Sequence, residues 1–431
     1  MAPLYAGISI FDWTPNHFSL IFWHFTLAYS LSLSFFSLEN PSFSTSHIDP
    51  LSSIFSLMGL SANLLLITVS VLTGSLASAK ASACTHGQCE LLEKCSSDQD
   101  CESGQYCFYC VEGFSSYKCV RSTATDQFKL LNNSLPFNKY AFLTTHNAYA
   151  IDGYPSHTGV PRLTLTNQED SVTQQLINGV RALMLDTYDF RGDVWLCHSF
   201  KGHCHDYTAF GPAIDTLKEI EAFLSANPSE IVTIILEDYV QAPKGLTNVF
   251  TDAGLMRYWF PVSNMPKNGQ DWPLVKDMVK NNQRLLVFTS IESKEISEGI
   301  AYQWNYMVEN QYGDGGMFAG RCPNRKESPS LSNKSKSLVL VNYFRTIPMK
   351  ELTCIDNSEE LMDMLHTCYG AAGNRWANFV AVNYYKRSQG GGSFQAVDTL
   401  NGKLLCGCDD LHECVPGTSS SAACSAQDEL Q

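Results

Sequence analysis

Two histidines carry the chemistry that this chain can do most readily. His146 sits in Thr145-His146-Asn147-Ala148-Tyr149, after the apolar run Tyr140-Ala141-Phe142-Leu143. His198 sits in Cys197-His198-Ser199, after Val194-Trp195-Leu196. Imidazole titrates near neutrality, so such a pair can take a proton from one reacting group and return one to another. Between them, Gly179-Val180-Arg181-Ala182-Leu183-Met184-Leu185 ends in Asp186, and further on Ile234-Ile235-Leu236 ends in Glu237 and Asp238. Asn147, Asp186 and Glu237 offer the oxygen ligands that Ca²⁺ prefers. Two histidines beside an oxygen-rich cation site suit displacement at a phosphodiester. The cation offsets the charge that builds on phosphorus while the histidines move protons. One strand-end histidine alone is as readily a satisfied core residue. Two, with an acidic strand end between them, favour chemistry.

The elements that must position these residues read as an α/β pattern. Eight candidate strands are 141–145, 182–186, 194–197, 231–236, 284–289, 304–308, 338–343 and 379–383. Most lack polar alternation, as expected of strands covered on both faces. A helix is expected over 168–178, with Gly179 as its C-terminal cap. Another follows Pro212, with Ile214, Leu217, Ile220, Phe223 and Leu224 as its apolar stripe. Strands alternating with helices over roughly 250 residues predict a TIM-type (β/α)8 barrel, whose chemistry gathers at the C-terminal strand ends. An open doubly wound sheet is the rival, but no Gly-rich phosphate fingerprint opens a helix. Tyr384, Tyr385 and Lys386 end the eighth strand, and Tyr384 and Lys386 are candidates for contact with substrate. Arg181 reads as a structural ion-pair residue, and His203 and His205 as loop residues.

The 431 residues divide into four regions: a leader over 1–79, a Cys-rich module over 84–121, the barrel over 128–387, and a Cys-containing tail over 388–431. Neither Lys nor Arg occurs before Lys80, and none of the 16 cysteines before Cys84. The apolar run 64–72, followed by Ala77-Ser78-Ala79, has the form of a secretory signal spanning about 58–79. A second apolar stretch, 18–36, is a weaker candidate for a membrane span. Cysteines confined to the region after that signal predict disulfides and an extracellular, apoplast-like location, with zinc as the rival reading. Seven cysteines lie between 84 and 121, so one of them should bridge to another region; Cys197 and Cys204 flank the His198 loop and could stiffen it. Asn132 and Asn333 head glycosylation sequons. A net charge of −14 without basic runs argues against nucleic acid. The end of the chain has no apolar tail of the kind a GPI anchor needs.

These motifs resemble the X domain of phosphatidylinositol-specific phospholipase C, and in particular a plant group of secreted phosphodiesterases like it. The resemblance rests on Thr145-His146-Asn147-Ala148-Tyr149, on Gly179 to Asp186, on Leu196-Cys197-His198 and on Ile234 to Glu237, within roughly 128–387. It implies that His146 stabilises the reacting phosphate and shares proton transfer with His198. It also implies that Asn147, Asp186 and Glu237 take calcium-ligand positions. One departure stands out: metal-dependent members have a carboxylate where this chain has Met184. A thioether is a poor ligand for Ca²⁺. Three outcomes stay open: weak Ca²⁺ binding, a substitute ligand in Asp189 or Asp238, or no metal. The implied function is hydrolysis of a phospholipid or other phosphodiester by a monomer that meets a membrane surface transiently. The alternatives are a glycerophosphodiester or sphingolipid phosphodiesterase on the same barrel, and a non-catalytic secreted binding protein.

Overall fold

The computed structural model describes residue 84 and residues 86–131, 135–199, 201–415 and 424. The expected leader, the apolar stretch 18–36 and Asn132 lie outside the described residues. Among those described, no helix is long and apolar enough to cross a membrane.

Eight parallel strands make the frame, in the order β10-β11-β12-β3-β4-β7-β8-β9. They are β3 (Phe142–Thr145), β4 (Ala182–Phe190), β7 (Val232–Tyr239), β8 (Leu285–Thr289), β9 (Ala301–Tyr302), β10 (Met307–Glu309), β11 (Leu338–Asn342) and β12 (Phe379–Val382). The sheet curls into a TIM-type barrel. No ladder joins β9 to β10 among the described residues; the short helix Gln303–Tyr306 spans that step. Helices cover the outside, where Leu217, Ile220 and Leu224 of the helix Ala213–Ala226 share one apolar core with Leu183, Leu185, Ile234 and Leu236. A second core fills the barrel from within, through Phe137, Phe142, Phe288, Phe379, Trp272 and Tyr306. β3, β8, β10, β11 and β12 are buried on both faces, which is why their sequences lack polar alternation.

The expected strand over 194–197 forms, but not as a barrel stave. β5 (Asp193–Cys197) folds back antiparallel on the long β4 and pairs onward with β6 (Ala209–Pro212). Its apolar run is buried by this hairpin, so burial alone could not distinguish it from a stave. Two further expectations change. Trp304 lies in the helix Gln303–Tyr306, with the strand beginning at Met307. The helix expected over 168–178 is confined to Val172–Ile177, capped by Ser171 and ended at Gly179 with φ +96°. Asn167 and Gln168 instead hold Asn383 and His146 at the barrel mouth.

The Cys-rich module contains the hairpin β1 (Gln105–Phe108) and β2 (Lys118–Arg121). Bridges 84–89, 95–107 and 101–119 hold it, and Cys110 reaches out to Cys354. Bridges 197–204, 322–368, 406–414 and 408–424 use the remaining cysteines, which leaves no thiolate for zinc. A barrel boundary at 387 cuts off the last covering helix. Gly392–Leu405 packs on the barrel, and its Asn401 Oδ1 accepts from the backbone N–H of Ala141 at 2.8 Å.

Candidate active site

The C-terminal mouth holds a cavity of about 300 Å³ lined by His146, Asn147, Met184, Asp186, His198 and Glu237 among others. The backbone N–H of His146 extends the sheet by bonding Val382 O at 3.0 Å. The chain then turns at Asn147, whose φ is +45°. Asp186 and Glu237 are register partners on β4 and β7, so their side chains leave the sheet on one face. His198 arrives from the opposite direction. Leu196 of β5 pairs with Thr187 of β4, so the next steps along β5 descend to the level of Asp186. Cys204 ties down Cys197, and the N–H of His198 bonds Thr208 O at 3.1 Å.

Both imidazoles are held through Nδ1. That of His146 lies 2.9 Å from Asn383 Oδ1, and its ring stacks on Phe344 with centroids 3.7 Å apart. Asn167 Nδ2 donates to the same Asn383 oxygen at 3.0 Å, which fixes that amide as an acceptor. The Nδ1 of His198 lies 2.9 Å from the carbonyl of Leu165. Asn167 Nδ2 also lies 3.3 Å from His146 Nδ1, but the shorter contact there is to the Asn383 oxygen, so an oxygen acceptor at each Nδ1 assigns the proton there and leaves each Nε2 with a lone pair. Burial pushes the His146 imidazole down to about 3; the charges of His198 and Arg325 add to this, against the hydrogen bond from Asn383. Burial also lowers His198, opposed by the Leu165 carbonyl and by Glu237.

The oxygen donors converge as well. Asn147 is buried and its Oδ1 has no hydrogen-bond partner among the described residues. Burial and the neighbouring Glu237 push Asp186 well above the usual carboxylate range. Tyr239 donates its hydroxyl to Glu237. An orphaned amide oxygen beside two repelling carboxylates fits a hard cation, with these three side chains as its protein ligands. Met184 supplies nothing to it. Two residues before Asp186 on the same face, it packs onto the aromatic filling of the barrel and floors the cavity. Asp189 and Asp238 do not complete the set. Asp189 accepts from the N–H groups of Gln241 and Ala242, and Asp238 is paired with Lys294 and Thr289.

A family model described as PI-PLC X 1 matches residues 137–375, and a PI-PLC X domain-containing protein of Arabidopsis thaliana is 55% identical over 354 residues, covering 82% of this chain and 83% of its own. The chain belongs to the PI-PLC X domain family. An uncharacterized secreted protein of Arthroderma benhamiae is 25% identical, over 65% of this chain and 67% of its own. Among solved structures, the phosphatidylinositol-specific phospholipase C of Listeria monocytogenes overlays with a TM-score of 0.41 at 15% identity, covering 64% of this chain and 96% of its own.

Tyr384 and Lys386, beyond the matched residues, do not line the mouth. Tyr384, with φ +41°, donates its hydroxyl to Thr166 O, and Lys386 pairs with Asp170 beneath the ring of Tyr106. Lys386 belongs to the seam between barrel and Cys-rich module. Arg181 pairs with Glu230 at 2.7 Å, away from the pocket. The mouth residues that the sequence did not single out are Lys201, Tyr312, Arg325, Phe344 and Arg345, with Asn383 behind His146. Asn383 ends an expected strand, so the rule that picked Asp186 and Glu237 would have found it.

Proposed function

We propose that this chain is a secreted phosphodiesterase that cleaves a phospholipid-type phosphodiester by two-histidine acid–base catalysis. One observation carries the reading: two imidazoles, each tied through Nδ1 to an oxygen acceptor, line one cavity with no partner at Nε2 among the described residues. A vicinal hydroxyl of the headgroup attacks phosphorus and gives its proton to one Nε2. The oxygen that leaves takes a proton from the other imidazole, and a cyclic phosphate results. His146, held neutral most strongly, is the base. His198, beside Glu237, is the acid. Asn147, Asp186 and Glu237 would hold Ca²⁺, which would supply charge neutralisation at phosphorus. Eight disulfides and a relative named as secreted support an extracellular location.

The test is a thin-layer assay of purified protein on a panel of phospholipids, with Ca²⁺ and with chelator. Cleavage is expected to fall by at least about a hundredfold in His146→Ala and in His198→Ala, the scale of a lost acid or base. Near-normal turnover in either folded variant, or no cleavage of any phosphodiester by the parent protein, overturns the reading.

A further inference from the structure

Three cationic side chains line the cavity besides the histidines, and they are held differently. Lys201 is exposed and makes no ion pair among the described residues. Arg345 commits Nε and one terminal nitrogen to Asp356, at 2.7 and 2.6 Å. Arg325 is built in. Its Nη1 bonds Glu309 Oε1 at 3.0 Å, its Nε bonds Glu327 at 3.1 Å, and its guanidinium carbon lies 5.2 and 4.8 Å from the ring centroids of Trp304 and Tyr312. Nη2 has no hydrogen-bond partner among the described residues.

The support behind it is complete. Glu309 is fully buried at the end of β10. Besides Arg325, its two oxygens accept from Gln303 Nε2, Trp304 Nε1 and Asn342 Nδ2 at 2.8 to 3.0 Å. A buried carboxylate is costly unless every lone pair is met, and these donors meet them. The resulting ion pair aims its positive end into the cavity. A guanidinium with a free edge, fixed by packing rather than by solvent, is suited to phosphate oxygens.

We propose that Arg325 is the catalytic cation that grips the substrate phosphate, with Nη2 donating to a non-bridging oxygen. The assignment rests on the phosphodiesterase reading above. As the headgroup oxygen bonds to phosphorus and the bond to the leaving oxygen breaks, charge grows on the non-bridging oxygens. The guanidinium meets that charge and keeps its own protons, since it does not deprotonate in proteins. The two imidazoles alone pass protons. Held this way, Arg325 supplies positive charge that Met184 and the three oxygen donors cannot.

Inorganic phosphate is the probe, titrated into the disulfide-intact protein and followed by NMR of the His146 and His198 ring signals. Arg325→Met is expected to weaken phosphate binding tenfold or more, the scale of one lost hydrogen bond to a charged group. Turnover on the cleaved phospholipid should drop by about a hundredfold or more and recover in part when guanidinium ion is added. Arg325→Lys, which keeps charge but not the planar fork, decides the matter if the Met variant does not fold. It should bind phosphate more weakly than the parent protein and turn over more slowly. Phosphate binding unchanged from the parent protein, in whichever variant folds, overturns the proposal. Arg325-dependent phosphate binding in a parent protein that cleaves nothing would remove the enzymatic reading and leave the phosphate site standing.

Discussion

Both imidazoles are pressed toward their neutral forms, and the pH dependence follows from that. The proposed catalysis needs one neutral and one protonated imidazole. His146 sits at about 3, and His198 lies below the ordinary 6.5. The profile of kcat/KM, which reports the free enzyme, should therefore be a bell with its optimum on the acid side of 6.5. Exchanging the roles of the two histidines leaves that bell in place, since only their joint protonation counts. An optimum above pH 7.5 would contradict it. Stability runs the other way. An unfolded chain binds protons at these positions from about 6.5 downward while the folded one does not, so stability drops as pH falls from 6.5 toward 3. The partner of His146 is an amide, not a carboxylate. Asn383→Asp should place a negative charge 2.9 Å from Nδ1 and raise the His146 titration measured by NMR. No movement would mean that this hydrogen bond does not set the ring's protonation.

At the scale of elements, one loop commands both histidines. Between β3 and the helix Val172–Ile177, Thr164 donates to His198 O at 2.6 Å and Leu165 O faces His198 Nδ1. Asn167 secures Asn383, and Gln168 Nε2 donates to His146 O at 2.9 Å. The sequence shows none of this, because such contacts join residues whose strands are far apart in the chain. What it does show is the strand ends. Asn147, Asp186 and Glu237 were legible because each closes a branched apolar run, and Glu309, Asn342 and Asn383 close later strands in the same way. β9, two residues long, carries too little pattern to read. The alternation of β4 explains Met184, since a side chain two residues below the mouth meets the aromatic filling. With three protein oxygens, Ca²⁺ should bind weakly, on the order of 10⁻⁴–10⁻³ M. Met184→Glu should tighten it, as calorimetric titration of both forms would show. Micromolar binding by the parent protein would mean that a further ligand exists, and no gain from the substitution would mean that position 184 does not reach the cation.

Across the whole molecule, the Cys-rich module is fastened to the parts of the barrel that serve the mouth. Tyr106 donates to Lys386 O at 3.0 Å, and Arg387 lies over Phe108. Arg121 pairs with Asp398 of the last covering helix at 2.7 Å, and its N–H bonds Gly390 O. The bridge Cys110–Cys354 closes a loop of 244 residues and enters the turn Thr353–Asp356, whose Asp356 grips Arg345 of the cavity. Cross-linking so distant a pair restricts the unfolded chain, which typically stabilises by about 2–4 kcal/mol. Replacing Cys110 and Cys354 together by Ser should therefore lower the unfolding temperature by several degrees, with the three bridges inside the module intact. Calorimetry distinguishes two consequences. One transition at lower temperature would show that the polar seam still couples module and barrel. Two transitions would show that the bridge is what makes them melt together. Because Asp356 lies two residues beyond Cys354, KM should rise in the same variant while kcat changes little: Arg345 lines the cavity and is held by Asp356 rather than bonded to either histidine. An unfolding temperature and a KM both equal to the parent's would mean that the module adds its own fold to the barrel without supporting the mouth.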